Sequence, residues 1–296
     1  VVAISPALRH VAARRHIYAA SEVAPIGSVG EMNRSATPSD AESAALSAMR
    51  EELGSDVSSA PPELSHEYGL LRFIRGHGCD GAKAAAAFRE TLAFREKHGL
   101  DALRAEIIAA GPGDGVPAWP TEALPRFAPL MEVLDGGKGW STRRGEDAAG
   151  NMMNVVLMHK YDLKKVLAAD LEQLILEGQR ALDEYWLIEL HRLSLERKSL
   201  VARHEVIFVQ EMSMLHFDIS SLRLLPKLSE GSKMYPEQVA LMSSVGNGAV
   251  LLALYRRIIR PFTPAHTREK LAVHGKVDSI DEWLQQAEAG TVETQM

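Results

Sequence analysis

Eleven histidines, one cysteine and a few His-Glu neighbours are the side chains of this 296-residue chain that could do acid-base or metal chemistry. Their spacing points away from both. His66-Glu67 follows Ser65 at the start of a helical pattern, where the helix dipole favours a carboxylate whatever the function. His204-Glu205 opens a β-branched and aromatic run to Val209 and reads as a strand end. No His-Glu-x-x-His, Gly-x-Ser-x-Gly or Walker A sequence is present. Gly111 and Gly113 are followed by Gly115, one place too early for a dinucleotide fingerprint, and no strand pattern precedes them. Cys79 stands alone, so neither an internal disulfide nor a multi-cysteine zinc site can form. The expectation is a protein that is not an enzyme and uses no catalytic residue, metal or cofactor.

Bulk properties narrow the class. Hydrophobic residues make up 46% and charged residues 24%, the balance of a water-soluble domain. A formal charge of -6 argues against nucleic acid as a partner, since such partners call for a broad basic surface. The most apolar stretch, Val250 to Tyr255, is far shorter than a bilayer span and is closed by Arg256-Arg257, so membrane contact is expected to be peripheral. The single cysteine suits a reducing compartment such as the cytoplasm. The first twenty residues carry Arg9, Arg14 and Arg15 with no acid before Glu22, a pattern shared by disordered leaders and organelle transit peptides.

The elements that must position any site can be read from periodicity. Residues 1–40 are rich in Ala, Ser and Pro without a sustained period and read as a mostly disordered leader. Ser39-Asp40 introduces an amphipathic helix to Leu53, with Gly54 as its stop. Pro61-Pro62 reads as a turn, and a second helix carries Tyr68, Leu70, Leu71, Phe73 and Ile74. Asp80 caps a third helix that runs to His98 and exits at Gly99. After a Pro/Gly-rich connection the pattern alternates. Strands are expected at Met152 to Met158, His204 to Val209, Val239 to Val245 and Leu271 to Val273. Helices are expected from Asp162, from Leu171 to Arg197, from Ser220 and from Val250 to Ile259. Such alternation implies an α/β fold: a small N-terminal helical subdomain at 41–105, then a mostly parallel sheet covered by helices at 120–296.

Three segments, in order, carry a family resemblance. Leu70-Leu71-Arg72-Phe73-Ile74-Arg75 leads to Asp80 and the helix through Arg95. Asp147-x-x-Gly150 is followed by a strand and Lys160-Tyr161-Asp162-Leu163-Lys164-Lys165. Tyr235-Pro236-Glu237 is followed by Arg260-Pro261-Phe262, Thr267-Arg268-Glu269-Lys270 and Gly275. The chain resembles the CRAL-TRIO lipid-binding family, and is similar to its phosphatidylinositol/phosphatidylcholine transfer proteins.

The resemblance implies a gated pocket that carries a phospholipid or another hydrophobic molecule between membranes, in a monomer that meets anionic membrane surfaces. It implies that Glu237, Thr267 and Lys270 help hold an inositol phosphate, for which a carboxylate, a hydroxyl and an ammonium are suitable partners. A structural ion pair between Glu237 and Lys270 is the competing account of the same residues. Val250 to Ile259 corresponds to the mobile gate, with Leu251, Leu254, Tyr255 and Ile258 on one face and Arg256, Arg257 and Arg260 towards its basic end. The competing account of that segment is an ordinary wall helix.

The chain also departs from the family. His77-Gly78 stands where phosphoinositide-binding members often carry Arg-Lys, leaving His77 as a weak donor and opening the alternatives of a tocopherol- or retinoid-type cargo. Asn247-Gly248-Ala249 replaces Asn-Ala-Pro. The usual closing segment is not reached, which suggests a truncated C-terminus. A membrane-recruited, lipid-sensing regulatory module is the alternative from a different class.

Overall fold

The computed structural model describes residues 34–134, 140–210, 223–248 and 269–292. Among these, Ser39 begins the helical part. Its Oγ accepts from Glu42 N at 3.3 Å, while the Glu42 carboxylate accepts from Ser39 N at 2.7 Å, a reciprocal cap that satisfies two otherwise orphaned donors. Helix α1 (Asp40–Leu53) comes next and Gly54 ends it. Ser39→Ala is expected to lower the free energy of unfolding by about 1 kcal/mol in urea titration, the usual worth of such a cap.

Two single turns, α2 (Asp56–Ser59) and α3 (Pro62–Ser65), lead into α4 (Glu67–Gly76). Pro62 thus opens a helix rather than serving only as a turn, because proline at a first helical position gives up no hydrogen bond. Asp80 accepts from Lys83 N at 3.0 Å to start α5 (Gly81–His98), which exits through left-handed Gly99 into α6 (Leu100–Ala109). Leu46, Met49, Leu70, Ile74 and Phe88 bury among these helices, and Leu187 and Tyr235 from the second half of the chain join the same cluster. The helical part is therefore packed onto the sheet half rather than tethered to it. Short helices α7 (Pro120–Ala123) and α8 (Ala128–Val133) then lead to the sheet.

The sheet has five strands in sequential order: β1 (Ser141–Glu146), β2 (Met152–Leu157), β3 (Arg203–Phe208), β4 (Val239–Val245) and β5 (Leu271–Val273). β1 pairs antiparallel with β2, and the others are parallel. Strand β1 escapes a reading by hydrophobicity because Ser-Thr-Arg-Arg-Gly-Glu is an edge strand whose charged side chains face water. The Asp147-x-x-Gly150 signature is the turn between β1 and β2. Asp147 accepts from Ala149 N at 3.0 Å and Asn151 N at 2.8 Å, and Gly150 takes the positive φ of 75° that the turn requires.

Helix α9 (Leu163–Ala168), capped by Asp162, and the 26-residue α10 (Glu172–Arg197) connect β2 to β3. Turns α11 (Leu225–Leu228) and α12 (Glu230–Met234) precede β4, and α13 (Ile280–Ala289) comes after β5. Alternate side chains part to the two faces. Met153, Val155, Val206 and Phe208 meet Trp283 and Leu284 of α13, so these apolar residues fill a core. On the opposite face Met152 joins Trp186 and Leu190 of α10, beside Asn154, Arg203 and Glu205.

Residues 34–39, just before α1, are among those the structure describes. Arg34 donates to Ala149 O and Asn151 Oδ1, and Leu200 N donates to Arg34 O at 3.0 Å, which fastens residue 34 to the sheet half.

Candidate functional site

β4 and β5 are parallel neighbours, with β5 starting opposite Met242, three residues into β4. The register sets Lys270 level with Leu241, and its long side chain reaches back to the turn before β4: Lys270 Nζ donates to both Glu237 carboxylate oxygens, at 3.0 and 3.1 Å. Their side chains are 21% and 28% exposed, leaving the pair within reach of solvent or a ligand. The residues flanking Glu237 are anchored on all sides. Tyr235 OH donates to Glu184, Arg203 N donates to Gln238 O at 2.7 Å, and Arg72 of α4 donates to the carbonyl of Glu237 itself. Glu237 takes φ of 55°, a left-handed conformation that side chains other than glycine rarely adopt.

Beneath the turn lies a buried charge network. Arg95, 2% exposed, donates to Glu184 at 2.7 Å, to Asp101 at 2.6 Å and to Tyr235 OH at 2.9 Å, and Glu184 is wholly buried. Burial works against the Arg95 charge, yet Glu184, Tyr235 and Asp101 outweigh it and hold the guanidinium above its usual range. Arg72 is buried as well and also donates to Val201 O. Desolvation brings its guanidinium down to about 10, with Glu237 opposing the fall. A cavity of about 20 Å³ beside Arg72, His191 and Ser194 has room for one water, not for a ligand.

Sequence reasoning missed Arg72, Arg95, Glu184 and Tyr235 as a network. The signal open to it was Arg95 lying seven residues after Phe88, on the apolar face of α5, and Glu184 lying between Leu182 and Trp186. His77 is placed at the C-terminal end of α4, where its Nδ1 meets Phe73 O at 2.8 Å. Thr267 and the gate residues Leu251, Leu254, Tyr255, Arg256, Arg257, Ile258 and Arg260 lie outside the described residues, as does the helix expected from Ser220 up to residue 222.

A second polar cluster lies on the sheet face under α13. Asp147 Oδ2 meets His204 Nδ1 at 3.1 Å, His204 Nε2 meets Ser243 Oγ at 2.8 Å, and His274 Nε2 approaches the same hydroxyl at 3.3 Å. Burial alone would raise the Asp147 carboxyl, but hydrogen bonds from His204 and Asn151 prevail and lower it. In the tautomer that turns an Nδ1 proton towards Asp147, His204 Nε2 accepts from Ser243. The order resembles a nucleophile-base-orienter relay, but Ser243 is only 1% exposed, so the hydroxyl serves as a tie between strands. An open cleft of about 420 Å³ lined by His274, Trp283 and Gln286 lies next to it.

Among the described residues, no group of three His, Cys, Asp or Glu could share a metal ion, and no helix is long and apolar enough to cross a membrane.

A sequential parallel sheet with one antiparallel edge strand, backed by a long helix and fronted by a packed helical subdomain, is a fold shared with a solved structure. The crystal structure of Sfh5 superposes with a TM-score of 0.52 at 13% identity, covering 80% of this chain and 81% of that one. No protein-family model and no curated protein matches the sequence. At such low identity the likeness lies in the order and packing of elements, and it establishes the fold.

Proposed function

We propose that this chain binds a phospholipid, with phosphatidylinositol as the preferred cargo, and transfers it between membranes without covalent chemistry. The observation that carries this is the Glu237–Lys270 pair: a partly exposed carboxylate on a positive-φ turn just before β4, met by an ammonium from the residue that precedes the adjacent β5. A surface ion pair adds little to stability, about 0–1 kcal/mol, so stability alone does not explain the cost of a left-handed glutamate. A headgroup offering hydroxyls to Glu237 and phosphate to Lys270 would satisfy both groups when the pair opens. The protein would work in the cytoplasm, as a monomer touching anionic membranes peripherally.

Lys270→Glu tests this in a vesicle-to-vesicle transfer assay. Transfer of phosphatidylinositol is expected to fall by roughly 10- to 100-fold, the worth of one charge-assisted hydrogen bond, while phosphatidylcholine transfer falls far less. Equal loss of both would make the pair structural.

A neutral hydrophobic cargo is the second reading. It is favoured by His77, whose Nδ1 is already engaged by Phe73 O and whose neighbour Gly78 offers no cation. Extracted lipid that is a single neutral species, with no phospholipid, would establish it.

A further inference from the structure

Two residues of α4, one helical turn apart, meet the strained turn directly. Arg72 donates to Glu237 O, and Gly76 faces Pro236 so closely that a Cβ built on it would lie 2.6 Å from the proline Cβ. Positions i and i+4 share one helix face, so this face of the helical subdomain is shaped to the Pro236-Glu237 turn. The same guanidinium spans Glu237 O and Val201 O, and thereby fixes the turn against the approach to β3. Proline suits the first corner of a turn whose second corner takes positive φ, but that corner favours glycine or asparagine, so a glutamate is held there against its own preference by its surroundings.

We infer that α4 acts as a positioning element for headgroup selection: Arg72 holds the backbone of Glu237, and Gly76 leaves the space that Pro236 needs, so that the Glu237 carboxylate stands opposite Lys270 Nζ. The inference rests on the proposed phospholipid function and adds to it that selectivity is set from the helical subdomain, by residues that do not touch the lipid. The ligand class it specifies is a headgroup carrying both hydroxyls and a phosphate. A group gripping only phosphate would need Lys270 but not an aimed carboxylate.

Gly76→Ala is the sharpest probe, because the proline ring has no rotamer to yield and the turn itself must shift. Arg72→Lys keeps the charge but gathers its donors on a single nitrogen, losing the fork whose two nitrogens reach two carbonyls. Each purified variant is loaded from vesicles containing equal phosphatidylinositol and phosphatidylcholine, and the bound ratio is read by mass spectrometry. Its crystal structure then gives φ at residue 237 and the Lys270–Glu237 distance. The expected result is a fall of about tenfold in the phosphatidylinositol-to-phosphatidylcholine ratio for Gly76→Ala, with residue 237 leaving the left-handed region and the 3.0 Å pair opening. A smaller shift in the same direction is expected for Arg72→Lys. An unchanged ratio, or an unchanged turn with a loss of both lipids together, overturns the inference. A wild-type protein that loads neither lipid overturns the proposed function instead, and the wild-type arm reveals that directly.

Discussion

Arg95→Met is expected to destabilise the protein by about 3–5 kcal/mol, read as a lowered urea midpoint, because it strands a carboxylate in the interior. Glu184 is wholly buried and takes two hydrogen bonds from Arg95, at 2.7 and 2.9 Å. Without the guanidinium its remaining close partner is Tyr235 OH, and a buried, uncompensated charge costs far more than the pair contributes net. The double variant Arg95→Met, Glu184→Gln should therefore recover most of the loss, because removing both charges also removes the desolvation problem. If the double variant is as unstable as the single one, the network acts through shape rather than charge. Since Tyr235 immediately precedes Pro236-Glu237, the single variant should also loosen the candidate site.

The second large effect concerns Asp183 and depends on pH. Burial raises its carboxyl to about 7, against the opposing pull of Arg203 and a hydrogen bond from Gln179, and its Oδ2 is buried without a hydrogen-bond partner. A carboxyl whose folded value lies above its unfolded value of 3.8 binds more protons in the folded state. Its contribution is then fully present below about pH 4, is lost as pH rises through about 7, and stays lost above. Asp183→Asn removes the titration while keeping the shape. At pH 8 the variant should be more stable than the wild type by a few kcal/mol, with about 4 kcal/mol as the upper bound for a shift of about three units. At pH 4 the gain should nearly vanish.

His191, brought down to about 4 by burial, works in the opposite sense, since it must stay neutral as the unfolded chain takes up a proton. Comparing variant with wild type at each pH cancels it. A gain of equal size at both pH values would show that Asp183 is not what titrates.

Much of the framework is legible in sequence because each part announces itself locally. Ser39, Asp80 and Asp162 cap helices where their side-chain chemistry demands, and the four apolar strands lie within one residue of their expected bounds. Strand β1 is not legible because an edge strand needs no hydrophobic alternation. The sides of the sheet are only half legible. Period-two patterns separate Met153 and Val155 from Met152 and Asn154, but which face is covered by α13 and which by α10 is a matter of connection, not composition. At the site, Glu237 and Lys270 both stand out by type and position. Their direct pairing, one of the two accounts open to sequence, comes from the adjacency of β4 and β5 together with the reach of the Lys270 side chain back to the turn before β4. The supports from Arg72 and Gly76 come from a helix at the other end of the chain and leave no local trace.

The proposed function is tested most directly by native mass spectrometry of the purified full chain, followed by extraction of whatever it holds. One phospholipid per chain is expected, enriched in phosphatidylinositol and lost on Lys270→Glu in favour of phosphatidylcholine. A chain that carries no lipid, and takes none from mixed vesicles, would contradict the account.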